Sequence, residues 1–588
     1  MKKLLLPLLV LAAALAGWHC SGSAKPKNVL LISIDTLRAD HLSCYGYAKK
    51  TTPEIDALAA RGVLFEHAMA PSSWTTPSHA SLFTGLLSSQ HGAALVGVPI
   101  HPETPTLPEY LKEAGLASAA FVTHQYVGKS LGFARKFDSF WMEEDAPADK
   151  PVDEAIQWLG ANGKKPFFAF VHLFDPHMPY QPPKEYVDEY DEFCRQTGGD
   201  RGTLNFLMSD DKAVSQRALT CLLRRYDDEI RYTDRQVGRL VRYLETEKLL
   251  DKTVVIIVAD HGEEFLEHQG VLHGITLYQE QLHVPLILLG AGIPRGKRIA
   301  AQVRLQDVLP TVLELEHLTP KIALQAASLT PFFDGRETAD RDAIAETCDV
   351  GPNRMSIISG HYKYIYSPRA HIFMQPMEEK LFDLAADPQE KTNLLAEKPE
   401  LAKKLQAALI AETGYKWRKS WKLLWGGAGS EETRRGSLST GARFIYAFKY
   451  LGYSSFADVV QELPFKGGMH DLADYELQRS PNKLSFDAKD HGRENGVLAV
   501  VDPDDAPVTV AFACRDCLQN EAHPEDERET ELSGEIDPAK PRLFENGAFR
   551  VYTEPILTFA DPPPLASKQM QDVIQPDMLK KLRTLGYF

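Results

Sequence analysis

NVLLISID, residues 28–35, is an unbroken apolar run that stops at a carboxylate. A run without alternation has no face to give to water, so it reads as a strand buried on both sides, as in a parallel sheet flanked by helices. KPFFAFVHLFD (165–175) and KTVVIIVAD (252–260) have the same form and also end in Asp, and HVPLILLGAG (283–292) adds a fourth run. Helical patterns lie between them. TTPEIDALAARG offers Thr52 as N-cap, Pro53 at the first helical position and Gly62 past the end, and TPTLPEYLKEAG (104–115) repeats that logic. Leu223, Tyr226, Ile230, Val237, Leu240, Val241 and Leu244 recur at helical spacing and predict one long amphipathic helix. Strands alternating with helices make an α/β sheet with helices on both faces. Ligands of such sheets gather at the carboxyl ends of the strands. Asp35, Asp175 and Asp260 all fall there, although each alone is equally a turn or cap residue.

The chain of 588 residues is long for one domain and predicts a large domain with smaller partners. Apolar residues make up 44% and charged residues 25%, enough for a packed core. The net charge of −15 argues against nucleic acid as a partner, but it does not bar an anionic substrate from a locally cationic pocket. MKKLLLPLLVLAAALAGWHC opens with Lys2 and Lys3, continues in the apolar run Leu4 to Ala16 and offers the small-residue stretch Ala14-Leu15-Ala16. That is the pattern of an export signal, too short to span a membrane. We assign residues 1–23 to it, with a periplasmic or secreted location expected. Cys20 is similar to the lipidated cysteine of bacterial lipoproteins, while Gly17-Trp18-His19 before it departs from their small-residue pattern, so a membrane tether through Cys20 stays open. Seven cysteines are too few for a disulfide scaffold, and CRDC (514–517) without a second pair reads as a local disulfide or free thiols rather than zinc. The expected division is an α/β domain over 24–345, a C-terminal subdomain over 346–425, a β-rich module over 426–565 and a tail over 566–588. The subdomain holds the hairpin RMSIISGHYKYIYSP and the turn-rich LFDLAADPQEKTNLL leading into a helix.

Chemistry concentrates at the strand ends. Asp260 is followed by His261-Gly262-Glu263-Glu264, with His268 and His273 close behind, and Asp175 by Pro176 and His177. Adjacent carboxylate and imidazole groups suit a divalent cation. SSWTTPSHASLFTG (72–85) reads as a helix start with Thr76 as N-cap and Pro77 in the first turn. Capping needs only one threonine. A hydroxyl at a helix N-terminus faces backbone N–H groups and the positive end of the dipole, a setting for an alkoxide and an incoming anion. A hydroxyl nucleophile also needs a base or a metal.

Together these segments resemble the sulfatase family of the alkaline phosphatase superfamily. NVLLISIDTLRADHLSCYGY resembles its first metal strand, TTPSHASLFTG its nucleophile signature, FVHLFDPHMPY its histidine loop and VVIIVADHGEEF its second metal strand. LFDLAADPQEKTNLL and the terminal LRTLGYF resemble C-terminal segments, so the match spans roughly 27–400 and the last dozen residues. The resemblance implies an alkaline phosphatase-like α/β sandwich with a mixed, mostly parallel central sheet. It also implies a metal-dependent ester hydrolase working through a covalent intermediate. Four positions depart from the family pattern. The nucleophile position, elsewhere a Cys or Ser oxidised to formylglycine, is Thr75, so no formylglycine is expected. The signature Arg is His79, the second of the paired aspartates is Thr36, and the usual Asn after Asp260 is His261. This combination resembles superfamily branches that act on phosphorus with a plain threonine, including phosphodiesterases and phosphoethanolamine-type transferases.

The roles implied are as follows. Thr75 attacks and touches the metal, which Asp35, Asp260 and His261 also bind. The nitrogen ligand places zinc or manganese ahead of calcium. His177 or His273 protonates the leaving oxygen, and His273 occupies a position where the family places a basic substrate-binding residue. His79 orients Thr75 or binds the ester anion, and His124, in FVTHQYVG, contacts substrate. The expected activity is hydrolysis of a sulfate or phosphate ester, leaning to phosphorus, on an anionic substrate such as a glycan or a lipid headgroup. The alternative is a catalytically inactive sulfatase-like protein that binds anionic glycans.

Overall fold

The run at 28–35 lies at the middle of an eight-stranded sheet. The computed structural model describes residues 27–425 except 95–98, 188–189, 198, 208, 210, 349–351 and 368–378, and beyond 425 only strands between 433 and 558. The strands are β1 (Asn28–Ile34), β2 (Val63–Met69), β3 (Ala117–Val122), β4 (Ser139–Met142), β5 (Phe167–Leu173), β6 (Thr253–Ala259), β9 (His283–Gly290) and β10 (Lys297–Arg304). A two-stranded ribbon, β7 (Glu264–Phe265) with β8 (Val271–Leu272), stands apart. The large sheet runs β10-β2-β9-β6-β1-β5-β3-β4. β1, β5 and β6 are buried along their whole length, which is why their sequences show no alternation. β1 pairs parallel with both β5 and β6. β9 runs antiparallel to β6 and β2, so the sheet is mixed but mostly parallel, as expected.

Register then fixes the chemistry. Ile34 pairs with Ala259, so the next residues, Asp35 and Asp260, leave neighbouring strands side by side. Ser33 pairs with His172 on the other flank.

The long helix is Lys212–Thr246, 35 residues. It buries Leu222, Tyr226, Ile230, Val237, Leu240, Val241 and Leu244, each of which contributes about 1.5–3 kcal/mol through the apolar surface it removes from water. Its Asp234 carboxylate accepts the Glu54 and Ile55 N–H groups (3.0 and 2.7 Å), so it caps the helix Pro53–Ala59 across the core. Cys194 and Cys221 form a disulfide that ties the short helix Glu192–Gln196 to the long one. The sequence reading did not pair them.

β11 (Ala343–Cys348), β12 (Pro352–Ser359), β13 (Tyr362–Tyr366) and β14 (Glu379–Asp383) form an antiparallel sheet in sequence order, and β12–β13 is the expected hairpin. The helix Pro399–Thr413 lays Ala402, Leu405 and Leu409 over Met355, Ile357, Tyr364 and Leu381. Inside this layer Lys363 Nζ lies 2.8 Å from Glu390 Oε1, both fully buried. Farther along, Lys416–Trp425 pairs with Phe549–Thr558 and with Glu494–Asp502, so it shares a five-stranded sheet with strands placed in the β-rich module. The export signal, Cys20, Cys517 and the terminal LRTLGYF lie outside the described residues, as does the Cys514 side chain. Among the described residues no helix is long and apolar enough to cross a membrane.

Candidate active site

The helix Thr75–Thr84 carries the nucleophile signature, and its N-cap is Trp74 rather than the expected Thr76. Proline lacks an N–H that the whole first turn can spare, so Pro77 sits at the third helical position as readily as the first. Thr76 instead donates its hydroxyl to the Tyr126 carbonyl at 2.9 Å. Thr75 thereby becomes the first helical residue, among the unsatisfied N–H groups. Ser78 Oγ donates to the Asp260 carbonyl (2.6 Å) and pins this turn to the end of β6.

Asp35, Asp260 and His261 converge there, with ligand atoms all within 4.8 Å of one another. His261 Nε2 lies 3.4 Å from Asp260 Oδ2, 3.8 Å from Asp35 Oδ1 and 3.3 Å from Thr75 Oγ1. His261 Nδ1 faces the Gly262 carbonyl at 2.9 Å, and a carbonyl can only accept, so the ring proton sits on Nδ1 and the Nε2 lone pair points into the cluster. Asp35 Oδ1 and Asp260 Oδ2 are buried without a hydrogen-bond donor. Two donorless carboxylate oxygens beside an imidazole lone pair fit a divalent cation. Burial, then repulsion from Asp260, raises the Asp35 carboxyl well above its ordinary range. Burial opposes protonation of His261, but the Asp260 and Asp35 carboxylates prevail and raise it.

A second tier of histidines surrounds this centre. His79, one turn after Thr75, donates Nδ1–H to the Thr75 carbonyl and accepts from Ser33 Oγ at Nε2, both at 2.9 Å. Burial pushes it down to about 4, so it is neutral at pH 7. Its Nδ1 also lies 3.5 Å from Asp260 Oδ2. The His273 ring lies tilted against His261, with centroids 4.4 Å apart, and its Nδ1 meets Glu263 Oε1 at 2.9 Å. Tyr180 donates to the other Glu263 oxygen at 2.9 Å, and burial lifts that carboxyl to about 7. The His177 ring lies 5.0 Å from His273, and burial lowers it to about 3. His124 is farther out. Its Nδ1 accepts the Tyr126 N–H at 3.2 Å, its ring stacks on Phe174, and its Nε2 faces Glu144 at 3.5 Å. An imidazole turned toward a carboxylate is not presented to an anion.

Asp175, the third strand-end carboxylate, stays out of the cluster. It accepts the Ala148 N–H at 2.7 Å, at the start of the helix Asp149–Asn162, and faces Glu229 of the long helix. Sequence reasoning missed His172 and gave Glu263 no role. His172 is wholly buried against Asp35 (Nε2 to Oδ2, 3.4 Å). The available signal was a histidine inside an otherwise apolar buried run, since buried polar groups are the informative ones.

Residues 27–317 match the family model described as Sulfatase. The chain is 26% identical over 438 residues to an arylsulfatase of Clostridium perfringens, covering 63% of this chain and 90% of that one. It is 24% identical to a delta 4,5-hexuronate-2-O-sulfatase of Bacteroides thetaiotaomicron, covering 66% and 88%. The structure of a phosphonate monoester hydrolase from Agrobacterium radiobacter superposes with a TM-score of 0.56 at 21% identity, over 66% of this chain and 95% of that one. Residues 27–317 thus carry an alkaline phosphatase-like fold, and over them the chain matches the sulfatase family.

Proposed function

We propose that the protein is an exported, metal-dependent hydrolase that cleaves a phosphorus ester through a covalent intermediate on Thr75. The observation that carries this reading is Thr75 Oγ1 at a helix N-terminus, 3.3 Å from His261 Nε2 and beside the Asp35–Asp260 pair. Asp35, Asp260, His261 and Thr75 would hold the cation, with zinc or manganese favoured over calcium by the nitrogen ligand. Bound there, a divalent ion supplies positive charge that favours the threonine alkoxide and draws electrons from the ester.

The chain does the rest. Thr75, having lost its hydroxyl proton to solvent, bonds to phosphorus through Oγ as the ester P–O bond breaks, and the leaving oxygen takes a proton from His273 or His177. Burial holds both rings neutral, and an arriving anionic ester shifts them toward the imidazolium form that this step requires. Glu263, bonded to His273 Nδ1, keeps that ring oriented. Water then attacks phosphorus, returns its proton to the histidine and releases Thr75. The first-turn N–H groups face the charge that develops on the phosphoryl oxygens.

The leaning toward phosphorus rests on the nucleophile. A formylglycine sulfatase releases sulfate from a hemiacetal by C–O cleavage. A threonine ester has no such exit and must be attacked at the central atom, which phosphorus permits by in-line displacement. The fold accommodates that chemistry, since one relative in shape is a phosphonate monoester hydrolase. The relatives also include a sulfatase named for a sugar sulfate, and an anionic glycan is therefore the first alcohol to test, ahead of a lipid headgroup. The Cys194–Cys221 disulfide accords with export to an oxidising compartment. The test is hydrolysis of matched aryl phosphate, aryl phosphodiester and aryl sulfate by metal-loaded wild type and Thr75→Ala. The reading expects turnover of a phosphorus ester that Thr75→Ala abolishes. Turnover of the sulfate alone, or an active Thr75→Ala, refutes it.

A further inference from the structure

Asp35 has one oxygen on the ligand cluster and the other against a histidine that the mechanism leaves unused. His172 sits on β5 opposite Ser33 and is 0% exposed. Its Nε2 is buried 3.4 Å from Asp35 Oδ2 and, as the ring stands, forms no hydrogen bond. Its Nδ1 is 3.0 Å from Thr123 Oγ1. A neutral ring carries one proton, and the two placements differ sharply. With the proton on Nδ1, the Nε2 lone pair faces a carboxylate oxygen, leaving two buried acceptors in contact, each unsatisfied at a cost of about 1–3 kcal/mol. With the proton on Nε2, the ring donates to Asp35 Oδ2 while Nδ1 accepts the Thr123 hydroxyl. Only the second arrangement sets a donor against the carboxylate, with the Thr123 hydroxyl turned to Nδ1 and away from the His172 carbonyl, 3.1 Å from it.

We propose that His172 is a positioning residue that presents Nε2–H to Asp35 Oδ2, with the Thr123 hydroxyl turned to its Nδ1, so that Asp35 Oδ1 is aimed at the space shared with Asp260 and His261. The inference rests on the reading of Asp35 as a metal ligand and assigns the group that orients it. Partners of this kind narrow a carboxylate's rotation before the cation arrives, and their loss weakens metal affinity about 10–100-fold. The same register that sets Asp35 beside Asp260 sets His172 beside Asp35, so three adjacent parallel strands supply the ligands and their support.

The test is equilibrium Mn²⁺ binding to the purified, chelator-stripped full chain, read from the electron paramagnetic resonance of free Mn²⁺. The melting temperature of the stripped protein reports on folding. His172→Leu removes the donor, and His172→Gln places an amide N–H where Nε2–H stood. The expected result is about 10–100-fold weaker binding for Leu and binding within about threefold of wild type for Gln, with both stripped proteins folded. Wild-type affinity in His172→Leu overturns the proposal, as does a Gln variant that falls as far as Leu, which would mark packing rather than donation. Should His172→Leu fail to fold, Thr123→Val decides. It removes the hydroxyl beside Nδ1 and is expected to weaken Mn²⁺ binding several-fold, and an unchanged affinity overturns the proposal. Wild type that binds no Mn²⁺ would sink the metal centre itself and this inference with it, an outcome distinct from a wild type that binds and a Leu variant that binds equally.

Discussion

Asp35→Asn is expected to make the metal-free protein more stable while removing its response to metal. In the cluster Asp35 is 1% exposed, its Oδ1 has no donor, and burial followed by Asp260 repulsion disfavours its charge. A buried charged oxygen left unsatisfied costs about 1–3 kcal/mol. Asn removes the charge and can keep an oxygen toward His172, while its amide offers N–H to Asp260 Oδ2 or His261 Nε2. Taking about 2 kcal/mol, and an unfolding entropy near 2 cal/mol/K per residue over the α/β and C-terminal layers, the melting temperature rises by about 2–3 °C. Wild type behaves oppositely with metal. At a hundredfold excess over its dissociation constant, Mn²⁺ adds about 2.7 kcal/mol to a protein that binds it only when folded.

The assay is thermal melting of both proteins, first in chelator and then in Mn²⁺. In chelator the variant should melt higher, and in Mn²⁺ the order should reverse. Linkage supplies a further check. A carboxyl raised in the folded state keeps a proton that the unfolded chain releases, so stability falls as pH rises from the ordinary carboxylate range through the folded value. Chelated wild type should therefore regain stability on acidification within that window, and Asp35→Asn should regain less. A variant that melts lower than wild type in chelator, or that keeps the Mn²⁺ shift, refutes the reasoning.

Lys363→Met leaves the Glu390 carboxylate buried without its partner at 2.8 Å and should cost about 3–5 kcal/mol in denaturant unfolding, much of it recovered by adding Glu390→Gln. A loss under about 1 kcal/mol would show that Glu390 finds another cation. Asp175, raised to about 7 by burial, and Glu229, raised well above its ordinary range by burial and then by Asp175, should make wild-type stability decline as pH climbs from about 4 toward 7. Glu229→Gln should flatten that decline, and an unchanged slope counts against a shared proton. Gly274 has φ +87°, and an added Cβ would lie 2.4 Å from Trp74 Cε3. Gly274→Ala should therefore displace Trp74 from its place 5.7 Å from His273, seen as a changed tryptophan emission and a lowered kcat, whereas unaltered emission would mean that the loop yields instead.

The sequence revealed those features that are periodic or locally punctuated. The strands β1, β5 and β6 were legible because burial on both faces removes alternation, and the strand ends located Asp35 and Asp260 because parallel neighbours in register bring their C-termini together. β9 was legible as a strand but not as an antiparallel one, since strand direction is set by the connection and not by the run itself. The Trp74 cap was misread because proline marks the first turn without specifying which position in it. His124 and His177 are loop residues whose ring directions follow from tertiary contacts. His172 and Glu263 were hidden for another reason. Their roles depend on partners 137 and 10 residues away in the sequence, Asp35 and His273, which only the sheet and the loop bring into reach.

Peptide-level mass spectrometry of metal-loaded protein, quenched while turning over a phosphorus ester, tests Thr75 most directly. The account predicts a phosphoryl adduct on Thr75 that appears only with the divalent ion present and is absent from Thr75→Ala. An adduct on another side chain, an aldehyde at position 75, or an enzyme that turns over while Thr75 never carries the phosphoryl group would contradict it.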